Sequence, residues 1–254
     1  MRNSTNPVFN KVNNLSQSAD EVVREGAGGR VVIENATYLG LGLKILYFLA
    51  ITIAAGFGGI LLITYYPQAY KAFLLASIVT GFISALIAMN SFRLSFFFGT
   101  IYCLGEGMFL GVVSAMAEAV FPGIVFAVVA ATLSVVVVCG LLFTTRIIKV
   151  TRTFNRFLIT FMFGFLISLL MIMVLSWLGF IDSANIWLSL GISAISLLIA
   201  SFVLIADMER AKQLIDAGGP KQAEWMLAFG ISYTVLWIYI EILRLAIIIF
   251  GRKN

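Results

Sequence analysis

The sequence predicts an all-α integral membrane protein in which seven transmembrane helices form one bundle, and three observations carry that prediction. Of its 254 residues, 61% are hydrophobic and only 11% are charged, where an ordinary soluble domain carries about 25% charged residues. A mean hydropathy of +1.04 leaves more apolar surface than one core can bury, so the excess must face lipid. The apolar residues also gather into seven stretches, each about as long as a helix needs to cross ~30 Å of hydrocarbon.

Residues 1–37 are rich in Asn, Ser, Gly and mixed charge, with no apolar run after Met1. They read as a polar cytoplasmic tail, not a cleaved signal peptide, and residues 38–254 as the transmembrane domain. Gly26, Gly28 and Gly29 follow no strand and precede no Gly-Lys-Ser or Gly-Lys-Thr, so they make no phosphate cradle.

The first span, Leu43 to Tyr65, holds Gly56, Gly58 and Gly59, which let a neighbouring backbone approach. Pro67 separates it from the second, Ala72 to Met89. The third, Leu94 to Ala117, contains Gly107-xxx-Gly111, again a packing pattern. The fourth, Pro122 to Phe143, opens on a proline, which a helix tolerates in its first turn. The fifth runs from Phe157 to Phe180 and the sixth from Ile186 to Ala206. A long connection with Gly218, Gly219 and Pro220 leads to the seventh, Met226 to Phe250. With Pro7 in the tail, no proline interrupts a span, as lipid demands of helices that have no water to repair a lost hydrogen bond. No internal repeat is evident.

Lys and Arg fall in every other loop: Lys44 with the tail, Arg93 after span two, Arg146, Lys149, Arg152 and Arg156 after span four, and Arg210, Lys212 and Lys221 after span six. The intervening loops, around Pro67, Glu118 to Phe121 and Asp182, are nearly free of them. The pattern places the N-terminus in the cytoplasm and the C-terminus outside; Arg252 and Lys253 oppose that placement, and a re-entrant last segment would reverse it. The basic residues are dispersed along loop edges, so the net charge of +5 points to orientation and not to nucleic acid.

There is no histidine. Its absence removes Ser-His-Asp and Cys-His hydrolases, His-ligated haem and HExxH metalloproteases, so the chain is expected not to be an enzyme. Cys103 and Cys139 lie inside apolar runs and read as packing residues. The last span has no lysine to form a retinal Schiff base.

The informative residues are the charges within the spans, each of which costs several kcal/mol unless paired, neutralised or hydrated. Glu106 lies about 18 Å into span three and Glu241 about 20 Å into span seven, with Arg244 one turn further on the same face. Asp207 ends span six, and Arg93 ends span two at the same side. Each has a plain reading: a protonated acid bonded to a carbonyl for Glu106, a self-neutralising pair for Glu241 and Arg244, and a helix-end acid in water for Asp207. Together, acids at different depths on three helices read as a polar path for a cation or proton. Two carboxylates within ~5 Å in a dry site cannot both stay ionised; they share a proton or recruit a cation. Arg244 or Arg93 would latch such an acid until protonation releases it.

The residues from Met1 to Arg252 resemble the Bax inhibitor-1/YccA-like (transmembrane BAX inhibitor motif) family, and more closely its bacterial branch. The resemblance rests on Met1-Arg2-Asn3-Ser4-Thr5-Asn6-Pro7-Val8-Phe9, Asn90-Ser91-Phe92-Arg93, Gly105-Glu106-Gly107-Met108-Phe109-Leu110-Gly111 and Phe121-Pro122-Gly123-Ile124-Val125. The most specific stretch runs from Glu224-Trp225 through Ala228-Phe229-Gly230 to Trp237-Ile238-Tyr239-Ile240-Glu241-Ile242-Leu243-Arg244-Leu245. It implies a bundle with the last helix central, in the bacterial plasma membrane, acting as a pH-sensitive calcium leak channel. By motif, Asp207 and Glu241 match the family's pH-sensing carboxylate pair, the residues that would meet calcium; no other cofactor is implied. The chain departs from the pattern in having Glu at the second position and a longer stretch between the acids. Depth arithmetic sets Asp207 and Glu241 on different levels and matches Glu106 better to Glu241. The alternative function is a non-conducting scaffold that binds a membrane protease or another membrane protein through its Gly-xxx-Gly faces and polar tail.

Overall fold

The computed structural model describes residues 35–66, 68, 70–179 and 185–252. Most of the tail, with Pro7 and its glycines, lies outside the described residues, as do Pro67, Phe180, Asp182 and Lys253. The described chain is all-helical: α1 Tyr38–Tyr65, α2 Tyr70–Asn90, α3 Ser95–Val120, α4 Ile124–Thr144, α5 Arg152–Trp177, α6 Ile186–Asp216 and α7 Ala223–Gly251. Six of these are long and apolar enough to cross a membrane; in α2 the apolar stretch Leu75–Asn90 is shorter.

The helices outrun their apolar windows where caps allow it. Thr37 accepts the Gly40 amide at 3.0 Å and starts α1 five residues before Leu43, and Thr151 accepts the Phe154 amide at 3.1 Å and starts α5 five before Phe157. α4 starts at Ile124, two residues after Pro122, because Gly123 (φ 86°) turns the chain and the Glu118 carboxylate accepts the Gly123 and Val125 amides at 2.6 and 3.0 Å. Asp207 does not end α6. The helix continues to Asp216, its buried Leu214 packing with Ala36 and Ala223 and its buried Ala211 joining the main core, so the connection to α7 shrinks to residues 217–222.

α7 is the central helix, packed against α1, α2, α3, α4 and α6, with Ala228, Phe229 and Ile238 fully buried. Phe229 meets Phe48 of α1 edge to face at 5.7 Å and Tyr102 of α3 at 5.3 Å, which ties three helices at one level. α5 is the peripheral helix: it packs chiefly against α6, and Leu158 is its one buried residue.

α1 and α3 lie in near backbone contact. A Cβ on Gly111 would collide with the Gly56 carbonyl, one on Gly107 with the Thr52 carbonyl, and one on Gly59 with the Met108 carbonyl. Gly58, grouped with these by sequence, faces open space, since it lies about 100° round the helix from Gly59 and about 160° from Gly56. Gly111→Ala is expected to lower stability by about 1–3 kcal/mol through overpacking, while Gly58→Ala stays near wild type; thermal unfolding in detergent measures both.

Candidate functional site

α6 and α7 run antiparallel, and their seam carries two acids in the same setting. Asp207 of α6 accepts the Thr234 hydroxyl of α7 at 2.8 Å through Oδ2, and its Oδ1 meets the Arg210 guanidinium at 3.2 Å. Arg210 also reaches Asn155 Oδ1 of α5 at 3.2 Å. Glu241 of α7, 6% exposed, accepts the Ser196 hydroxyl of α6 at 2.8 Å through Oε1, with a long 3.4 Å contact from Trp237 Nε1. Its Oε2 lies 3.6 Å from the Arg244 guanidinium and has no hydrogen-bond partner. In both settings a carboxylate takes a hydroxyl from the facing helix and a cation from one turn along its own helix.

The two acids do not meet. Thr234 and Glu241 are seven residues apart on α7, about 10 Å along its axis, so the carboxylates occupy successive levels. Among the described residues no three Asp, Glu, His or Cys side chains converge as a metal site, and a calcium ion takes six to eight oxygens. Each acid instead offers one carboxylate and one hydroxyl, so a calcium ion passing here would keep most of its water.

Glu106 lies on another flank of the central helix. It is half-buried on α3, within electrostatic range of Tyr102 and of Tyr233 on α7. It has no hydrogen bond or ion pair among the described residues. Arg93, in the turn between α2 and α3, is exposed and pairs with neither Asp207 nor Glu241. Of the two expected counter-charges, only Arg244 stands beside an acid. Cys103 and Cys139 are free and buried, with Cys139 Sγ donating to the Ser201 carbonyl at 3.7 Å.

Sequence reading did not single out Glu224 as a site. In the first turn of α7 it is fully buried, accepts the Thr37 amide at 2.7 Å and pairs with Lys44 of α1. The Lys44 ammonium sits 4.8 Å above the Trp225 ring. Gly40 leaves the room for this carboxylate, because a Cβ there would press on both of its oxygens. The Ala36 amide bonds to the Gly219 carbonyl at 2.8 Å and the Tyr38 hydroxyl to Asp216 at 2.6 Å, so the start of α1 is fastened across the α6–α7 connection. The available signal was Lys44 itself, a lone charge in the first turns of span one.

A central helix in a bundle of seven, six of them long and apolar enough to cross a membrane, with buried acids partnered between helices, defines a multi-pass membrane protein. The model of the family described as Bax inhibitor 1 like matches residues 6–251, and the chain belongs to that family. No curated protein and no solved structure matches the chain.

Removing one partner of a buried ion pair strands the other. Lys44→Met is therefore expected to cost about 3–5 kcal/mol, and the double variant Lys44→Met/Glu224→Leu to recover most of it. Unfolding temperatures in detergent read the effect, and a single variant as stable as wild type would show that the pair is not a buried clamp.

Proposed function

We propose that the protein is a pH-regulated cation leak channel of the bacterial plasma membrane, with its N-terminus in the cytoplasm. Asp207, Glu241 and Glu106 control passage and Arg244 serves as the counter-charge; calcium is the ion that the family resemblance implies. The observation that carries this reading is the repeated setting on the α6–α7 seam, where each acid is held by one hydroxyl and one arginine. Orientation is supported by the basic residues of the α2–α3, α4–α5 and α6–α7 connections, which share the end of the bundle where α1 begins.

Ser196 of α6 ties Glu241 across the seam, and Arg244 holds the other carboxylate oxygen from one turn along α7 itself. Neutralising this carboxylate removes the attraction of Arg244 and weakens the charge-assisted bond from Ser196, the hydrogen bond that joins the acid to α6. Protons are more available at lower pH, so opening increases as pH falls. The Arg244 side chain is 55% exposed, which limits the latch to about 1 kcal/mol at most, or up to about five-fold in the opening equilibrium.

Calcium flux into proteoliposomes is expected to rise as pH falls from about 8 to about 6, a range that carboxylates removed from water can reach. Glu241→Gln should hold flux near the low-pH level throughout, and Asp207→Asn should flatten the profile from its own level. Flux equal to empty liposomes at every pH would sink the channel reading.

A further inference from the structure

The periphery of the bundle carries a feature that the acids on the seam do not use. α5 and α6 enclose a groove of about 690 Å3, lined by Phe157, Phe161 and Gly164 on one side and by Trp187, Gly191 and Ile195 on the other. At the basic end Phe154 meets Phe202 of α6 edge to face at 5.9 Å and closes the groove. From there it opens along α5 from Phe157 to Ile172, about 22 Å of helix. Neither Gly164 nor Gly191 has an atom within 4 Å of where a Cβ would sit, so the chain itself fills neither position.

Immediately beyond the closed end lie Arg146, Lys149, Arg152 and Arg156, all exposed. None has an ion pair among the described residues, and the sequence holds no acid between Glu118 and Asp182. The acids of α6 at this end are already engaged, Asp207 by Arg210 and Thr234 and Glu209 by Gln213. Arg152 and Arg156 extend, at the same four-residue spacing, the row of Thr160, Gly164, Ser168 and Ile172 that lines the groove. Arg146 holds a left-handed conformation, φ 54°, which a bulky side chain seldom adopts, and it sets a cation at the C-terminal end of α4. Orientation in the membrane calls for cations at this end; it does not call for an apolar groove leading away from them.

We infer that this is a binding site for one anionic phospholipid, with its headgroup phosphate among Arg152, Arg156 and their neighbours and an acyl chain in the α5–α6 groove. Charge complementarity selects this occupant: four cations without an ion pair among the described residues match an anionic headgroup at an interface, and the groove below them is largely apolar. The bound lipid supplies α5 with the second packing partner that the chain does not provide.

The test is native mass spectrometry of the full chain, delipidated in mild detergent and titrated with phosphatidylglycerol or with phosphatidylcholine of the same acyl chains. Wild type is expected to retain one phosphatidylglycerol in preference to phosphatidylcholine. Arg152→Gln/Arg156→Gln should weaken phosphatidylglycerol by about thirty-fold, the effect of two cations at a lipid surface. Gly164→Leu, and separately Ser168→Leu, fill the groove with the cations intact and should abolish retention of the single lipid. Equal binding of the two lipids, preference surviving in the double Gln variant, or wild-type retention in both groove-filling variants would each overturn the site. Displacement of the lipid by inorganic phosphate at matched concentration would also overturn it, as a simple anion site. The measurement reads no ion flux, so it stands or falls separately from the channel reading.

Discussion

Lipid cannot solvate a carboxylate, and the bundle is arranged around that constraint. An unpaired charge in the hydrocarbon costs several kcal/mol, and Asp207, Glu224 and Glu241 each draw a partner from another helix or its cap. α7 is the one helix enclosed by five others. It carries Glu224 and Glu241, and it gives Asp207 its hydroxyl through Thr234. The partners come from different neighbours: Lys44 and the Thr37 amide from α1 and its cap, and Ser196 from α6. The central helix thus carries or partners three of these acids, whereas the peripheral α5 carries none.

The packing divides the bundle into a tight part and a loose one. In lipid there is no hydrophobic drive between helices, so close association depends on small residues and on contact. α1 and α3 achieve it through Gly56, Gly59, Gly107 and Gly111, and the aromatic contacts of Phe229 with Phe48 and Tyr102 bring α7 into the same unit. α5, with Leu158 alone buried, has no comparable seam. α6 stands between, packed against α7 and α4 on one side and α5 on the other. The two acids of the α6–α7 seam thus sit between the glycine-packed unit and the helix on which α5 rests.

Much of this was legible in the sequence because it depends on local composition. The seven spans, the Gly-xxx-Gly seam and the separate depths of Asp207 and Glu241 follow from apolar run length, residue size and helical rise. The overrun of α6 past Ala206 was not legible, since Asp207, Glu209, Arg210 and Lys212 look like a loop until Leu214 is seen to bury against Ala36 and Ala223 and Ala211 in the main core. Nor was the pairing of Glu224 with Lys44, 180 residues apart. Arg93 and Arg244 looked equivalent as counter-charges; only the packing sets Arg244 beside an acid and leaves Arg93 in an exposed turn. Partner identity is a tertiary fact, and charge spacing alone does not encode it.

The ion pairs themselves differ in a way that fits two tasks. Lys44 and Glu224 are both well buried, so separating them strands a charge and the pair holds the ends of α1 and α7 together under all ordinary conditions. Arg210 and Arg244 are more than half exposed, at 53% and 55%, and such pairs contribute up to about 1 kcal/mol. A contact that weak, made within one helix, does not lock that helix to its neighbour. Arg210 adds a link outward, because the guanidinium that holds Asp207 also holds Asn155 of α5. By reciprocity, whatever shifts α5 alters the hold on Asp207, and the charge on Asp207 alters the hold on α5 to the same extent. A lipid seated against Arg152 and Arg156, on either side of Asn155 in the first turns of that helix, would therefore be felt at the seam.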